Sequence, residues 1–205
     1  MRRPTFIAEQ SGNPTGLLGR IIAWVMAYET SAHNDAALQA LRLEKTDRVL
    51  ELGFGHGRTI ESIAHAVPDG FVAGVDHSPE MLRAASERCA ALVAANRVKL
   101  SCCDSRALPL PDGRFDKVLA VHTLYFWPDA LEQLREAARV LHPGGLLVLG
   151  FRPKDDPACG DFPATVYTFY GRDQVTNLLQ EAGFADVDFP SESPSFVLAR
   201  GRRGP

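Results

Sequence analysis

The sequence predicts an α/β protein with an open, doubly wound and mostly parallel sheet that has helices on both faces. From position 48 onward, short apolar runs alternate with segments of helical periodicity, a pattern typical of parallel strands joined by crossover helices. The first run, Val49–Leu52, breaks into glycines at every second position, Gly53, Gly55 and Gly57. Such a turn lets backbone N–H groups approach a bound nucleotide, because no Cβ stands in the way.

The order of the elements follows from where each apolar run begins and ends. The first five predicted strands are Arg48–Leu52, Phe71–Val75, Val98–Cys102, Phe115–Val121 and Leu146–Phe151. The predicted helices between them are Arg58–Ala66, Pro79–Ala95 and a segment that follows Asp129 and runs through Leu141. The second helix is the best marked, because Ser78 occupies its N-cap and Pro79 its first position.

The C-terminal part adds a helix and two extended segments to this pattern. The helix spans about Asp173–Ala182, and the extended segments are Ala185–Phe189 and Ser195–Arg200. Only Pro190–Pro194 separates the two segments, which is too short for a crossover helix, so we expect them to pair antiparallel. The chain is predicted to be one domain, with an N-terminal helical segment (1–46), a Rossmann-like core (47–200) and a tail (201–205).

The composition of the chain excludes some classes of partner and indicates a cellular compartment. A formal net charge of −3 leaves no basic footprint for nucleic acid. The apolar residues between Gly16 and Tyr28 repeat at helical spacing around Arg20, which predicts an amphipathic helix packed on the domain and no membrane insertion. Four cysteines, at 89, 102, 103 and 159, match neither a metal site nor a disulfide framework. They indicate reduced thiols in a cytoplasmic protein.

Polar side chains follow the predicted strands at the edge where a doubly wound sheet binds its ligand. Asp76 closes the second strand, where a carboxylate can accept both hydroxyls of a ribose. Asp104 follows the third strand and can accept from an exocyclic amine, and His122 follows the fourth. Three such residues beside the glycine turn favour a nucleotide-type cofactor site over an ordinary set of loop residues.

In these motifs the chain resembles the class I S-adenosylmethionine-dependent methyltransferases, specifically the small single-domain group similar to the ubiquinone- and menaquinone-biosynthesis enzymes. The motifs are Val49–Gly57, Val75–Leu82, Cys103–Ser105 ahead of Leu108–Pro111, Phe115–Val118, Leu141–Gly145 and Glu181–Phe184. They span roughly Asp47 to Arg200. Each motif is weak alone, and their order and spacing make the resemblance specific.

The resemblance implies a seven-stranded sheet of order 3-2-1-4-5-7-6 with the last strand antiparallel, and S-adenosylmethionine as cofactor. Gly53, Gly55 and Gly57 would line its methionine part. The other implied cofactor residues are Glu51 at the amino group, Phe54 in the turn, Asp76 at the ribose diol, His77 and Met81 flanking the adenine, Asp104 at the adenine amine, Ser105 through its backbone N–H, and His122 through its carbonyl. An imidazole at 122 departs from the small polar residue usual in this group.

Methyl transfer from a sulfonium needs alignment more than a dedicated base, so catalytic assignments rest on position. We predict His122 and Tyr125 as catalytic residues. Further candidates for acceptor contacts are Trp127 after the fourth strand and Tyr28, His33 and Asn34 after the first helix. We also hypothesise that Gly16–Leu43 folds over the cofactor as a lid.

Two other functions share parts of the pattern. A nicotinamide-dependent dehydrogenase would need G-x-G-x-x-G, yet Arg58 occupies the place of its third glycine and Asp104 would have no role. A non-catalytic protein that binds S-adenosylmethionine as a sensor or partner stays open, because its cofactor half would look the same. The aromatic cluster His122–Trp127 favours an enzyme. We expect a small-molecule acceptor, since no base-stacking aromatic stripe accompanies the charge pattern, and the oligomeric state is left open.

Overall fold

The structure, a computed structural model, describes residues 4–12, 15–16 and 30–205, and its strands form one sheet. The strands are β1 (Arg48–Leu52), β2 (Phe71–Asp76), β3 (Val98–Cys102), β4 (Phe115–Val121), β5 (Leu141–Phe151), β6 (Phe184–Ser193) and β7 (Phe196–Arg203). The helices are α1 (Thr5–Gly12), α2 (Ser31–Leu41), α3 (Arg58–Ala66), α4 (Pro79–Arg88), α5 (Ala90–Ala94), α6 (Ala130–Val140) and α7 (Arg172–Glu181). Short 3₁₀ turns occur at Leu124–Phe126 and Pro157–Asp161.

The sheet has the order β3-β2-β1-β4-β5-β7-β6. The first five strands are parallel, and β7 runs antiparallel to both β5 and β6. The predicted fold class and strand order are therefore confirmed. The order reverses between β1 and β4, since the chain moves outward from β1 to β3 on one side and then returns to β4 on the other. This reversal creates the crevice in which such sheets bind ligands.

Alternate residues of the central strands point to opposite faces and build two apolar cores. Leu50 and Val118 belong to the core covered by α6 and α7, whereas Val49 and Leu119 belong to the core covered by α2, α3 and α4. Both faces of the sheet are thus buried under helices, as expected for a doubly wound fold. Among the described residues, none of the helices combines the length and the apolar character that a membrane crossing requires.

The predicted helix Pro79–Ala95 is wrong in one respect, because it divides at Cys89 into α4 and α5. The thiol of Cys89 is buried and lies 3.7 Å from the carbonyl oxygen of Gly57. The backbone ψ angle of Cys89 is 15°, which is outside the helical range. The backbone bond from Val93 N–H to the carbonyl oxygen of Cys89 continues across the break. The division therefore interrupts the helix at one residue, without an intervening loop.

The last two strands are longer than predicted, and the expected link Pro190–Pro194 is wrong. The hairpin turns at 194–195, where the Ser193 hydroxyl bonds both the N–H and the carbonyl of Phe196, each at 3.1 Å. Pro190 lies within β6, which tolerates it because β6 is an edge strand with an irregular register. β7 extends through Arg203, so most of the predicted tail 201–205 pairs within the sheet.

The N-terminal segment is described only in part. The predicted amphipathic helix Gly16–Tyr28 lies outside the described residues apart from Gly16, and so does the proposed acceptor contact Tyr28 at its end. α2 packs against β4, β5 and β7, which brings its first turn to the carboxyl ends of the central strands. The fold therefore places both α2 and the strand ends beside the crevice.

Candidate functional site

A cavity of about 480 Å³ opens at the carboxyl ends of β1, β2, β3 and β4, where the strand order reverses. This volume is in the usual range for small-molecule and cofactor sites. Ten of the eleven predicted cofactor residues line it, namely Glu51, Gly53, Phe54, Gly55, Asp76, His77, Met81, Asp104, Ser105 and His122. Of the two predicted catalytic residues, His122 lines the cavity and Tyr125 is buried next to it, bonded to the His122 ring.

The glycine turn after β1 consists of left-handed residues at every second position. The φ angles of Gly53, Gly55 and Gly57 are +77°, +55° and +82°. A Cβ on Gly53 would lie 2.2 Å from Cγ2 of Thr123, so the segment after β4 closes tightly on the turn. A Cβ on Gly57 would lie 2.8 Å from Cβ of Ala85 in α4. Gly57 does not line the cavity, and its need for glycine comes from its positive φ and from the packing of α3 against α4.

Two buried carboxyl groups face the cavity from the ends of β1 and β2. The Asp76 carboxylate accepts hydrogen bonds from the N–H groups of Gly55 and Ser78, both at 2.9 Å. Glu51 is 4% exposed, and its Oε2 has no hydrogen-bond partner among the described residues. Burial, and secondly the Asp76 carboxylate, raise the pKa of Glu51 to about 8. Near pH 7 the carboxyl group of Glu51 is therefore mostly in its neutral form.

The pKa of Asp76 is also raised, and burial is the cause. The backbone donors Ser78 and Gly55 work in the opposite direction, because they stabilise the ionised form. The backbone N–H of His77 acts on the same carboxylate in the same direction. Asp76 thus joins the glycine turn to the start of α4 and lines the cavity.

A series of hydrogen bonds connects the end of β4 with α2. Nε2 of His122 lies 2.9 Å from Nδ1 of His33, and Nδ1 of His122 bonds the hydroxyl of Tyr125. The His33 ring stacks on Phe196 with centroids 4.0 Å apart. Burial, followed by the neighbouring His33 and Arg152, lowers the pKa of His122 to about 3, and burial and Arg152 also lower the pKa of His33. Near neutral pH both rings are uncharged, so one donates and the other accepts.

The segment after β3 presents a carboxylate and a buried amide to the cavity. Asp104 is half exposed, and Arg106 donates to its Oδ2 from Nε at 2.9 Å and from Nη2 at 2.6 Å. These bonds hold the pKa of Asp104 below its usual value. Gln133 of α6 is 2% exposed, and its Nε2 donates to Oγ of Ser105 at 3.2 Å. Its Oε1 is without a hydrogen-bond partner in the part of the chain that the structure describes.

The residues after β2 differ in exposure. His77 is about half exposed and lies 3.8 Å from Asp76 through its Nδ1, whereas Met81 is 3% exposed. Ser78 accepts the N–H of Met81 at its Oγ, at 3.4 Å, as the predicted N-cap of α4. This cap fixes the first turn of α4, so Met81 offers an apolar surface to the cavity and His77 a polar edge.

Several cavity residues carry no motif that sequence reasoning could use. Outside the predicted set, polar and small residues of the N-terminal segment and the helices line the cavity: Ser11, Gly12, Thr30, Thr59 and Gln133. Gln133 had a usable signal, because it lies beside Leu134 and Ala137 on the inward side of an amphipathic helix. Two of the proposed acceptor contacts, Asn34 and Trp127, also line the cavity.

The sheet order, the glycine turn and the carboxyl groups at the strand ends define a protein that binds a nucleotide-type cofactor. The methyltransferase domain family matches residues 49–145. Demethylmenaquinone methyltransferase from Geobacillus kaustophilus is 31% identical over 179 residues, which cover 74% of this chain and 76% of that protein. The uncharacterized methyltransferase YdaC from Bacillus subtilis is 29% identical over 168 residues, which cover 82% of this chain and 88% of YdaC.

A solved structure has the same fold. A SAM-dependent methyltransferase from Aquifex aeolicus superposes with a TM-score of 0.70 at 24% identity, covering 82% of this chain and 88% of that one. Some relatives are longer, and this chain spans 44% of 27-O-demethylrifamycin SV methyltransferase from Amycolatopsis mediterranei. The chain belongs to the class I S-adenosylmethionine-dependent methyltransferases, which confirms the resemblance in its motifs. Its cofactor is S-adenosylmethionine.

The cavity has groups that suit this cofactor. S-adenosylmethionine carries an ammonium group, a carboxylate, a ribose diol and an adenine. Glu51 places a carboxyl group at the cavity edge of β1, which suits the ammonium group. A Cβ on Gly55 would meet nothing within 4 Å, so the backbone there is open to close approach by a ligand. The residues present therefore fit the group that the family binds.

Proposed function

We propose that this protein transfers the methyl group of S-adenosylmethionine to a small-molecule acceptor. The observation that supports this most directly is Glu51, a buried carboxyl group that lines the cavity at the end of β1 and whose Oε2 has no partner among the described residues. A small acceptor is supported by the relative named for demethylmenaquinone and by a net charge of −3, which offers no attraction to nucleic acid.

Within this proposal, each residue at the strand ends contacts a different part of the cofactor. Gly53 and Gly55 would lie against the methionine part, and Glu51 would hold its ammonium group. Asp76 would accept hydrogen bonds from the ribose hydroxyls. Met81 would pack on the adenine, so the cofactor would lie across β1 and β2.

When bound, the cofactor supplies a methyl group on a sulfonium, a good leaving group that an acceptor displaces in line. The task of the chain is then to align the acceptor and to exclude water. Phe126 and Trp127 line the cavity after β4, and Trp127 is 9% exposed. This apolar surface would cover the reacting atoms and leave the acceptor as the only nucleophile within reach.

We propose that His122 and Tyr125 move the proton that an acceptor hydroxyl or amine must lose. Both ring nitrogens of His122 are engaged, by the Tyr125 hydroxyl and by His33. Since the pKa of His122 lies far below neutrality, the ring does not hold an extra proton. Instead, the Tyr125 oxygen would take the proton of the methyl acceptor as the Tyr125 hydroxyl gives its own to Nδ1 of His122, and Nε2 of His122 would give a proton to Nδ1 of His33.

We also propose that the protein acts in the cytoplasm. All four cysteines are free thiols. A reducing compartment keeps thiols in this form.

Titration calorimetry with S-adenosylmethionine, S-adenosylhomocysteine and NAD tests the cofactor assignment. We expect the first two to bind and NAD to give no response. Asp76→Ala should weaken binding by roughly 1 to 3 kcal/mol, since the ribose hydroxyls lose their acceptor. Asp69→Ala, the same change at the opposite end of β2, is the matched control and should leave binding unchanged. Tight NAD binding without response to the other two would overturn the proposal.

Transfer of a tritiated methyl group to a size-fractionated cell extract tests the acceptor class. We expect label in the small-molecule fraction. Label in the protein or nucleic-acid fraction would contradict a small acceptor, and cofactor binding without any transfer would indicate a sensor.

A further inference from the structure

The first turn of α3 leaves backbone donors free at the edge of the cavity. Gly57 occupies the N-cap and has no side chain that could bond them. Arg58 donates its N–H to Nδ1 of His56 at 3.3 Å. The N–H groups of Thr59 and Ile60 have no hydrogen-bond partner among the described residues. Such a helix end attracts an anion, because its free N–H groups carry partial positive charge.

The side chain of Thr59 is an independent donor at the same place. Thr59 is 6% exposed and lines the cavity. Its hydroxyl forms no hydrogen bond in the part of the chain that the structure describes, and protein atoms do not enclose it completely, so a ligand can reach it. Because a buried hydroxyl without a partner is costly, a ligand that accepts its hydrogen is favoured.

The imidazole of His56 adds a further donor. His56 lines the cavity beside Gly55, and its Nδ1 is the acceptor of the Arg58 N–H. Burial, followed by Arg88 and Arg58, lowers the pKa of His56, so the ring is neutral near pH 7. A neutral ring that accepts at Nδ1 carries its hydrogen on Nε2. Nε2 of His56 is therefore a donor.

The charges around His56 are mostly positive. Nε of Arg88 donates to the carbonyl oxygen of His56 at 3.2 Å, and the Arg88 guanidinium also pairs with Glu61 at 3.3 Å. Arg58 forms no ion pair with any residue that the structure describes. Glu61 thus offsets one of the two guanidinium charges, and the remaining charge adds to the attraction of an anion to this end of the cavity.

A carboxylate is the cofactor group that fits these donors. It has two oxygens that only accept, and the methionine part of S-adenosylmethionine carries one on the same carbon as its ammonium group. Glu51, the proposed partner of the ammonium group, precedes the glycine turn, and α3 follows it. The two ends of this turn would therefore bind the two charged groups of one amino acid.

We propose that His56 and Thr59 bind the carboxylate of the cofactor and select S-adenosylmethionine against ligands that lack this group. The inference rests on the proposed function, since it assigns one end of the same cofactor. Nε2 of His56 and the hydroxyl of Thr59 donate to the carboxylate, and the free N–H groups of the first turn of α3 complete the site.

The experiment compares S-adenosylhomocysteine with S-adenosyl-3-thiopropylamine, which lacks only the carboxylate, by titration calorimetry. We expect the native protein to prefer the compound with the carboxylate roughly tenfold or more. Thr59→Val, equal in shape but without the hydroxyl, and His56→Phe, without the donor, should each lose several-fold of this preference. Thr59→Ser keeps the hydroxyl and should retain it. His65→Phe, in the last turn of α3, is the matched control and should leave both affinities unchanged.

The affinity for the decarboxylated compound separates a carboxylate contact from general damage. Thr59→Val and His56→Phe should leave this affinity nearly unchanged, so an equal loss for both compounds overturns the inference. A native protein without preference overturns it as well, and an unchanged preference in either variant overturns the role of that residue. If the native protein binds neither compound, the proposed function fails instead. Circular dichroism monitors the fold, and should one of the two variants not fold, the other decides.

Discussion

Glu51 couples cofactor binding to a proton. With a pKa of about 8, its carboxyl group is mostly protonated at pH 7, and a bound ammonium group would favour the ionised form. We therefore predict that S-adenosylhomocysteine binding near pH 7 releases close to one proton. The affinity should rise with pH between 6 and 7.5 by up to about tenfold per pH unit. Calorimetry in buffers of different ionisation enthalpy measures the proton count.

Glu51→Gln is the matched variant for this prediction. It should bind more weakly and release no proton, so a binding enthalpy that depends equally on the buffer in both proteins would contradict the role of Glu51. The same substitution tests the cost of the buried acid. A carboxyl group protonated in the folded state and ionised in the unfolded state loses stability as pH rises from about 4.5 to about 8. At pH 7 the variant without ligand should be more stable, by about 2 to 3 kcal/mol.

At the residue scale, the positions of the acidic residues at the strand ends could be predicted from the sequence, but their hydrogen-bond partners could not. Glu51 and Asp76 follow directly from apolar runs that end in an acid, and both line the cavity. The ion pair between Asp104 and Arg106 depends on a local turn that has no distinct pattern. Gln133 approaches Ser105 only after α6 packs on the sheet, so no spacing in the sequence joins them.

At the scale of elements, substitutions in the glycine turn test how tightly the segment after β4 packs against the turn after β1. Gly53 and Gly55 both have positive φ, but only at Gly53 would a Cβ collide with a neighbour, Thr123. We predict that Gly55→Ala lowers the free energy of unfolding by about 1 kcal/mol, from backbone strain alone. Gly53→Ala should cost clearly more, about 2 kcal/mol or above, because strain and overpacking add. Urea denaturation measures both.

Thr123→Ser separates the two causes, because it removes the Cγ2 atom that a Cβ on Gly53 would meet. In the Gly53→Ala background it should recover part of the lost stability, and in the Gly55→Ala background it should recover none. An equal decrease in the free energy of unfolding for the two glycine variants would show that the segment after β4 moves aside without a measurable cost.

Element boundaries were predicted where a local signal marks them. β1, α3, β3 and β4 have the predicted limits, since glycine, proline and apolar runs define them. The break at Cys89 had no such signal, since the contact of its thiol with Gly57, the N-cap of α3, exists only in the folded chain. The length of β6 and β7 likewise depends on cross-strand pairing that continues past Pro190.

At the scale of the whole molecule, the alternation of strands and helices predicts a parallel sheet, but the order of the strands came from the family resemblance. The antiparallel hairpin could be predicted from the residues, because its link is too short for a crossover. The N-terminal segment could not be placed this way. It precedes the sheet, and its packing depends on which face of the sheet is left for it.

The lid hypothesis for Gly16–Leu43 stays a prediction, and described residues on both sides of its N-terminal half line the cavity. Ser11 and Gly12 of α1, and Thr30 and Asn34 around the start of α2, line the cavity, and Ala8 is buried in the core. We predict that a variant lacking residues 1–29 releases S-adenosylhomocysteine several-fold faster and binds it more weakly, because one side of the cavity opens to water. Stopped-flow displacement measures the release rate.

A smaller change keeps the chain intact and serves as the comparison for the truncation. A Cβ on Gly12 would lie 2.9 Å from Cδ1 of Phe126, so Gly12→Ala should push α1 away from the segment after β4. If α1 covers the cofactor, Gly12→Ala speeds release in the same direction as the truncation and by a smaller factor. Unchanged release and affinity in both variants, with the fold intact by circular dichroism, would show that the segment packs beside the cavity without closing it.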